Sequence, residues 1–269
     1  MNTIDRSLSE LKDMEALAAG DSAIHRLSPL AKLLVTIAYI LTVVSFHKYD
    51  LSSMFIMLLF PVFAFQVSGI PVRTCFYKLR IVLPLVLAVG IFNPFFDRAA
   101  YLALGGLKVS GGVISMLTLM GKGVLCLMAS FLLIATTRID ALCRSLRKLH
   151  VPSILVTLFL LTFRYVSLMV EEVSVMSQAY ALRAPGQKGI HYKAWGPFLG
   201  QLLLRSMDRA QELYSAMQLR GFEGEFRYAD DKAFTLKDAA FLVICTGLFF
   251  LVRHVNLTKL LGDAVLGMM

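Results

Sequence analysis

Long runs of apolar residues leave this chain few folds to choose from. Residues 30–46, 51–67, 81–96, 113–135 and 239–252 carry at most one charged residue each, and so does 154–170. In a bilayer every backbone N–H and C=O must be satisfied within the chain, so such segments span as helices, about 20 residues for a hydrocarbon core of ~30 Å. The rest of the composition agrees, with 57% hydrophobic and 17% charged residues and a mean hydropathy of +0.69. The expected fold is an all-α polytopic membrane protein.

The chain opens with a mixed-charge segment in which Leu8, Leu11, Met14, Leu17 and Ala18 recur at helical spacing. We read a short interfacial helix there, and expect the first span to direct insertion itself, with no cleaved leader. Ser28 is the expected N-cap of that span and Pro29 lies in its first turn. His47-Lys48-Tyr49-Asp50 makes a tight outer turn before the second span, where Pro61 predicts a kink. Pro84 and Pro94 make the third span short or broken. Residues 97–112, with Gly105, Gly106, Gly111 and Gly112, read as an outer loop. Lys122 inside the fourth span is expensive in lipid and is expected to face protein or to snorkel, with no site assigned to it.

Residues 154–170 pose the one question of topology, because a hydropathy window alone counts them as a crossing. Nine Lys and Arg residues follow, from Arg183 to Lys237, and a crossing would carry all nine outside. The positive-inside bias therefore places 154–170 as a long helix against the inner membrane surface. A basic helix over 140–149 precedes it, and an amphipathic helix over 197–219 follows. Five spans result, with the N-terminus inside and the C-terminus outside; six is the alternative. The expected domains are a four-span region over 1–136, a cytoplasmic layer of long amphipathic helices over 137–235, and a last span with its tail over 236–269.

Two stretches in that layer look like one device used twice. Ala181-Leu182-Arg183-Ala184-Pro185-Gly186 and Gln218-Leu219-Arg220-Gly221-Phe222-Glu223-Gly224 lie 37 residues apart, aligned on their arginines (220 − 183). Met176, Ala179, Tyr180 and Arg183 share a helical face, as do Leu213, Ala216, Met217 and Arg220. Both ends are expected to stop the same way, through Pro185 and Gly186 in one and Gly221 and Gly224 in the other. An arginine in a last turn has an ordinary explanation, attraction to the helix dipole worth ~0.3–1 kcal/mol. The repetition points further, to helix tips shaped for a groove, each with a planar guanidinium for carboxylates, and to two similar partners.

Other chemistries find little support. The net charge of +9 suits orientation and anionic lipid heads rather than nucleic acid. Cys75, Cys126, Cys143 and Cys245 have no CxxC spacing and read as small core residues. Gly121-Lys122-Gly123 lacks the rest of a phosphate loop, so this chain binds no ATP by that motif. A membrane metalloenzyme is the rival from another class, but the five histidines show neither HxxxH nor HExxH spacing. A metal channel or stand-alone permease would want carboxylates within the spans, which hold almost none. The thirteen methionines are scattered packing residues.

His25-Arg26-Leu27-Ser28-Pro29-Leu30-Ala31-Lys32-Leu33-Leu34, Phe163-Arg164-Tyr165 with Glu171-Glu172, and above all Arg209-Ala210-Gln211-Glu212-Leu213-Tyr214-Ser215-Ala216-Met217-Gln218-Leu219-Arg220-Gly221-Phe222-Glu223-Gly224 carry a resemblance. Over nearly its full length the chain resembles the transmembrane T component of energy-coupling factor transporters, in the cobalt-transport branch. The resemblance implies a non-catalytic subunit of an ABC-type importer in a bacterial or archaeal plasma membrane. Two partner ATPases would bind ATP and magnesium, this chain no cofactor, and a small membrane S component the solute. Arg183 and Arg220 are then the coupling arginines, with Ala184 and Gly221 behind them and Ala181 near the first. The sequence departs from the family pattern at Leu182 and Leu219, where alanine is common. Cobalt or nickel is the solute the branch implies, and a vitamin is the alternative.

Overall fold

The computed structural model describes residues 3–47, 51–80, alternate positions from 82 to 90, 101–104, 107–187, 189–224 and 234–254. The helices are α1 (Thr3–Ala18), α2 (Ala23–Arg26), α3 (Pro29–Ser45), α4 (Leu51–Ser68), α5 (Val72–Leu79), α6 (Gly111–Thr136), α7 (Ile139–Lys148), α8 (Ser153–Arg183), α9 (Trp195–Leu219) and α10 (Leu236–His254). The chain divides into two compact units. The unit of 17–138 and 232–269 holds the expected first four and last spans and is labelled the membrane unit; that of 1–16 and 139–231 holds the expected coupling helices and is labelled the coupling unit. The expected third span falls largely outside the described residues, as does the turn at Lys48, Tyr49 and Asp50.

In the membrane unit, α3, α4, α6 and α10 pack around a core that includes Val35, Tyr39, Val43, Met57, Leu125, Ala129 and Phe249. Tyr39, Phe60 and Phe249 form an aromatic trio with ring centroids 4.9 to 5.3 Å apart. Pro61 sits inside a continuous α4. Having no N–H, it leaves the carbonyl four residues earlier, that of Met57, without its helical donor. The buried Tyr39 hydroxyl donates to that carbonyl at 3.0 Å, so the proline is tolerated where water cannot help. Thr36, Thr42, Thr118, Thr136 and Thr246 likewise turn their hydroxyls back onto carbonyls of the preceding turn.

Lys122 on α6 faces protein. Its Nζ donates to the carbonyl of Val44, at 3.2 Å, and to that of Phe46, supplying the end of α3 with a donor that its last turn lacks. The Arg253 guanidinium lies 5.5 Å from the centroid of the Phe46 ring. Helix spacing in this unit is tight. A Cβ on Gly121 would meet Met54 Cε at 2.3 Å and one on Gly123 would meet Val86 at 2.7 Å, the close approach that small residues permit between membrane helices.

Within the expected outer loop over 97–112, Tyr101–Leu104 (β1) and Leu107–Ser110 (β2) pair antiparallel with Leu104 opposite Leu107. The fold is otherwise helical among the described residues. Gly105-Gly106 separates the strands in the sequence, the composition that a two-residue hairpin connection favours. Ser28 does occupy the N-cap of α3 with Pro29 behind it, but its side chain makes no capping bond.

In the coupling unit, α7 packs on α8, and α8 touches α9. Helix α8 runs unbroken for 31 residues and α9 for 25, or about 46 and 37 Å at 1.5 Å per residue. Among the described residues, two helices are long and apolar enough to cross a membrane, Ile114–Thr136 and Ser153–Arg183.

Candidate functional site

The two arginine-bearing ends are presented by the two longest helices of the coupling unit. Glu172 on α8 and Arg205 on α9 form an ion pair that ties these helices together. From there α8 continues for 11 residues to Arg183, and α9 for 14 to Leu219 with Arg220 one position beyond. At helical rise, the tips stand roughly 16 and 22 Å beyond that tie.

The repeat seen in the sequence is also a repeat in exposure. Met176 and Leu213 are half-buried, Ala179 and Ala216 exposed, Tyr180 and Met217 half-buried, and Arg183 and Arg220 exposed. Ala181 is exposed as well. Leu182 and Leu219 are 84% and 90% exposed. Among the described residues neither Arg183 nor Arg220 is ion-paired. The sequence had placed small followers behind each arginine; Ala184 is half-buried and Gly221 exposed, with no atom within 4 Å of where a Cβ would stand.

The two ends stop by different means, which corrects the expectation of a shared stop. Arg183 is the last residue of α8. Ala184 still donates its N–H to the Tyr180 carbonyl at 3.0 Å but has left helical geometry at φ −126 and ψ 66, as Pro185 dictates for the residue before it. The loop then folds back. The Tyr180 hydroxyl donates to Gln187 Oε1 at 3.0 Å and accepts from the His191 N–H at 3.3 Å. Arg220 instead lies one position past its helix, at φ −91 and ψ 7. Phe222 N–H donates to Met217 O at 3.0 Å and Gly221 N–H to Gln218 O at 2.9 Å, with Gly221 at φ +75. That pair of bonds is a Schellman motif, and its left-handed residue is glycine because a Cβ there is strained.

Neither end holds groups for chemistry. Among the described residues no group of three His, Cys, Asp or Glu side chains comes together. Outside the spans, burial pushes the Cys75 thiol up to about 11, and burial followed by the Asp140 charge raises that of Cys143. Both are free and buried, the behaviour of small core residues. What the ends can do is bind, with an apolar side chain and a five-donor cation side by side.

Sequence reasoning missed the Glu172–Arg205 tie. The signal was faint, since the partners lie 33 residues apart on separate helices.

Residues 20–229, more than three quarters of the chain, match the family model described as CbiQ, cobalt transport protein. The energy-coupling factor transporter transmembrane protein EcfT of Streptococcus equi is 27% identical over 252 residues, covering 86% of this chain and 92% of the relative. Its counterpart in Lactococcus lactis is 28% identical over 220 residues, covering 76% and 82%. A nickel permease, LarQ of Lactiplantibacillus plantarum, is 31% identical over 91 residues, about a third of each chain. Matched by that family model over most of its length, the chain belongs to the CbiQ cobalt transport family, the membrane-embedded T components of energy-coupling factor transporters.

Proposed function

We propose that this T component couples two cytoplasmic ATPase subunits to a small substrate-binding S component, for uptake of cobalt or nickel ions. The observation that carries the reading is the pair of exposed Leu-Arg tips, Leu182-Arg183 and Leu219-Arg220, at the ends of two long helices. A leucine and an unpaired guanidinium fit a groove with an apolar floor and a carboxylate rim. Ala181, Ala184 and Gly221 keep the approach open. Two such tips match two copies of one partner. ATP and magnesium belong to those partners, and this chain contributes motion rather than catalysis.

In this mechanism ATP draws the ATPases together, and the docked tips move with them. The coupling helices pass the shift to the S component, which reorients and releases its ion inward. Two states biased by nucleotide are sufficient. The coupling unit lies on the cytoplasmic side with five spans in the membrane, a reading supported by the nine basic residues from Arg183 to Lys237. The choice of ion is supported by the cobalt transport family and by the nickel permease among the relatives.

Charge reversal at the tips tests the docking. In Arg183→Glu and Arg220→Glu, nickel(II) and cobalt(II) uptake is expected to fall at least about 100-fold, with the ATPases lost on purification, as removal of a binding anchor would give. Wild-type uptake in both variants would defeat the reading.

A further inference from the structure

The chain passes out of the membrane unit at three junctions, 16/17, 138/139 and 231/232. Just inside each one, a bond is made by the segment from His25 to Lys32. At the first, His25 Nε2 lies 3.0 Å from the Leu17 carbonyl oxygen. A carbonyl only accepts, so Nε2 donates to it, and Nδ1 lies 2.7 Å from the Ser22 hydroxyl oxygen. At the second, Lys32 Nζ donates at 2.7 Å to the carbonyl of Thr136, the last residue of α6. At the third, Asp238 accepts the Ser28 N–H on Oδ1 at 2.8 Å and the Thr235 N–H on Oδ2 at 2.9 Å. One carboxylate thus serves the start of α3 and that of α10, completing half a capping box on its own helix. Lys32 Nζ also reaches the His25 carbonyl at 3.4 Å, which closes the set on itself. Ser28, Lys32, Thr136 and Asp238 are all 3 to 6% exposed.

A buried ammonium and a buried carboxylate contribute little net stability, because desolvation offsets most of what their bonds supply. Their use here is geometric. We infer that His25, Lys32 and Asp238 form a clamp that makes the three exits move as one body with the first turn of α3, with Lys32 and Asp238 as positioning residues for coupling. A displacement imposed on residues 139–231 then reaches α3 through every exit at once, instead of bending one connection. The nucleotide-driven part of this inference rests on the ATPase-docking reading; the mechanical part does not.

Hydrogen exchange at two amides separates the clamp from a set of independent caps. Lys32 bonds neither the Ser28 nor the Thr235 amide, which belong to Asp238. If the clamp acts as one body, Lys32→Met speeds exchange of both amides by at least about tenfold in the full-length chain in detergent. In the reconstituted complex it also removes their response to a non-hydrolysable ATP analogue while the ATPases stay bound, and Lys32→Arg, which keeps the donor, restores both behaviours. Wild-type exchange at Ser28 and Thr235 in Lys32→Met, with any change confined to the Thr136 end, overturns the inference. Should Lys32→Met not yield folded protein, His25→Phe keeps the ring and removes its two nitrogens. It is read at the same amides, with the same deciding outcomes. The first readout needs no ATPase, so its failure is distinct from a failure of docking at Arg183 and Arg220.

Discussion

In the membrane unit the large side chains are sealed against one another, with Tyr39 and Phe65 fully buried, whereas in the coupling unit Leu182 and Leu219 project almost free at the ends of their helices. Exposed apolar residues occur along helices of both units, Ile154, Leu158 and Phe159 on α8 among them, and the tip leucines differ from these in adjoining arginines. On α4, Phe55, Leu59 and Phe63 recur every four residues as a continuous stripe, the surface a membrane helix offers to lipid. The tip leucines stand singly beside arginines, which suits a protein groove better than lipid. On the proposed reading the tips are completed by a partner, whereas the buried core of the membrane unit needs none.

That contrast breaks if the tips matter to the chain's own stability, or if the core residues can be lost without harm. The largest effect is expected from Leu182→Asp combined with Leu219→Asp. Losing two anchors of ~2 kcal/mol each weakens ATPase retention by about 1,000-fold in a quantitative pull-down, yet the thermal midpoint of the isolated chain stays at its wild-type value. Tyr39→Ala should do the reverse. It removes a buried ring and the donor that serves Met57 beneath Pro61, and lowers stability in detergent by about 3 kcal/mol or more. Tips that remain intact in protein rescued by a lower temperature would show that the units are separable.

Smaller effects sharpen the difference between the two tips. Gly221→Val forces a β-branched residue into φ +75, at ~1–2 kcal/mol. Exchange of the Phe222 amide should rise accordingly while the Arg183 end keeps its wild-type rates. The smallest change belongs to the tie between the helices. Arg205 and Glu172 are partly exposed, so Arg205→Ala should cost ~0.2–1 kcal/mol in a double-mutant cycle with Glu172→Ala.

The elements legible in the sequence were those with a strong period or a long apolar run. Helices α3, α4, α6, α9 and α10 fall within a few residues of where hydropathy or helical period placed them, while α8 runs 13 residues past the apolar run 154–170 to Arg183, because burial in lipid or protein overrides weaker preferences. The hairpin at 101–110 was lost to its glycines, which read as loop although Gly105-Gly106 between short alternating runs is also a hairpin signal. Helix α5 was passed over, as eight residues are too few to set a period. At the tips the exposure pattern followed the 37-residue repeat, but the stop did not, since Pro185 acts through the residue before it and Gly221 through its own left-handed backbone. The long-range polar bonds were illegible in principle. Lys32 meets Thr136 across 104 residues and Ser28 meets Asp238 across 210, and no local pattern encodes such pairs. Lys122 shows the limit well: its cost in lipid marked it as facing protein or snorkelling, while the carbonyls it serves could only be seen in three dimensions.

The most direct test of the central claim is to purify the chain from its native membrane in mild detergent and identify its partners by mass. Two ATPase subunits and a small hydrophobic substrate-binding protein, retained by the wild type and with the ATPases shed by Arg183→Glu with Arg220→Glu, are the predicted result. A chain that purifies alone, or one whose ATPases stay bound when both arginines are reversed, would contradict coupling through these two helix ends.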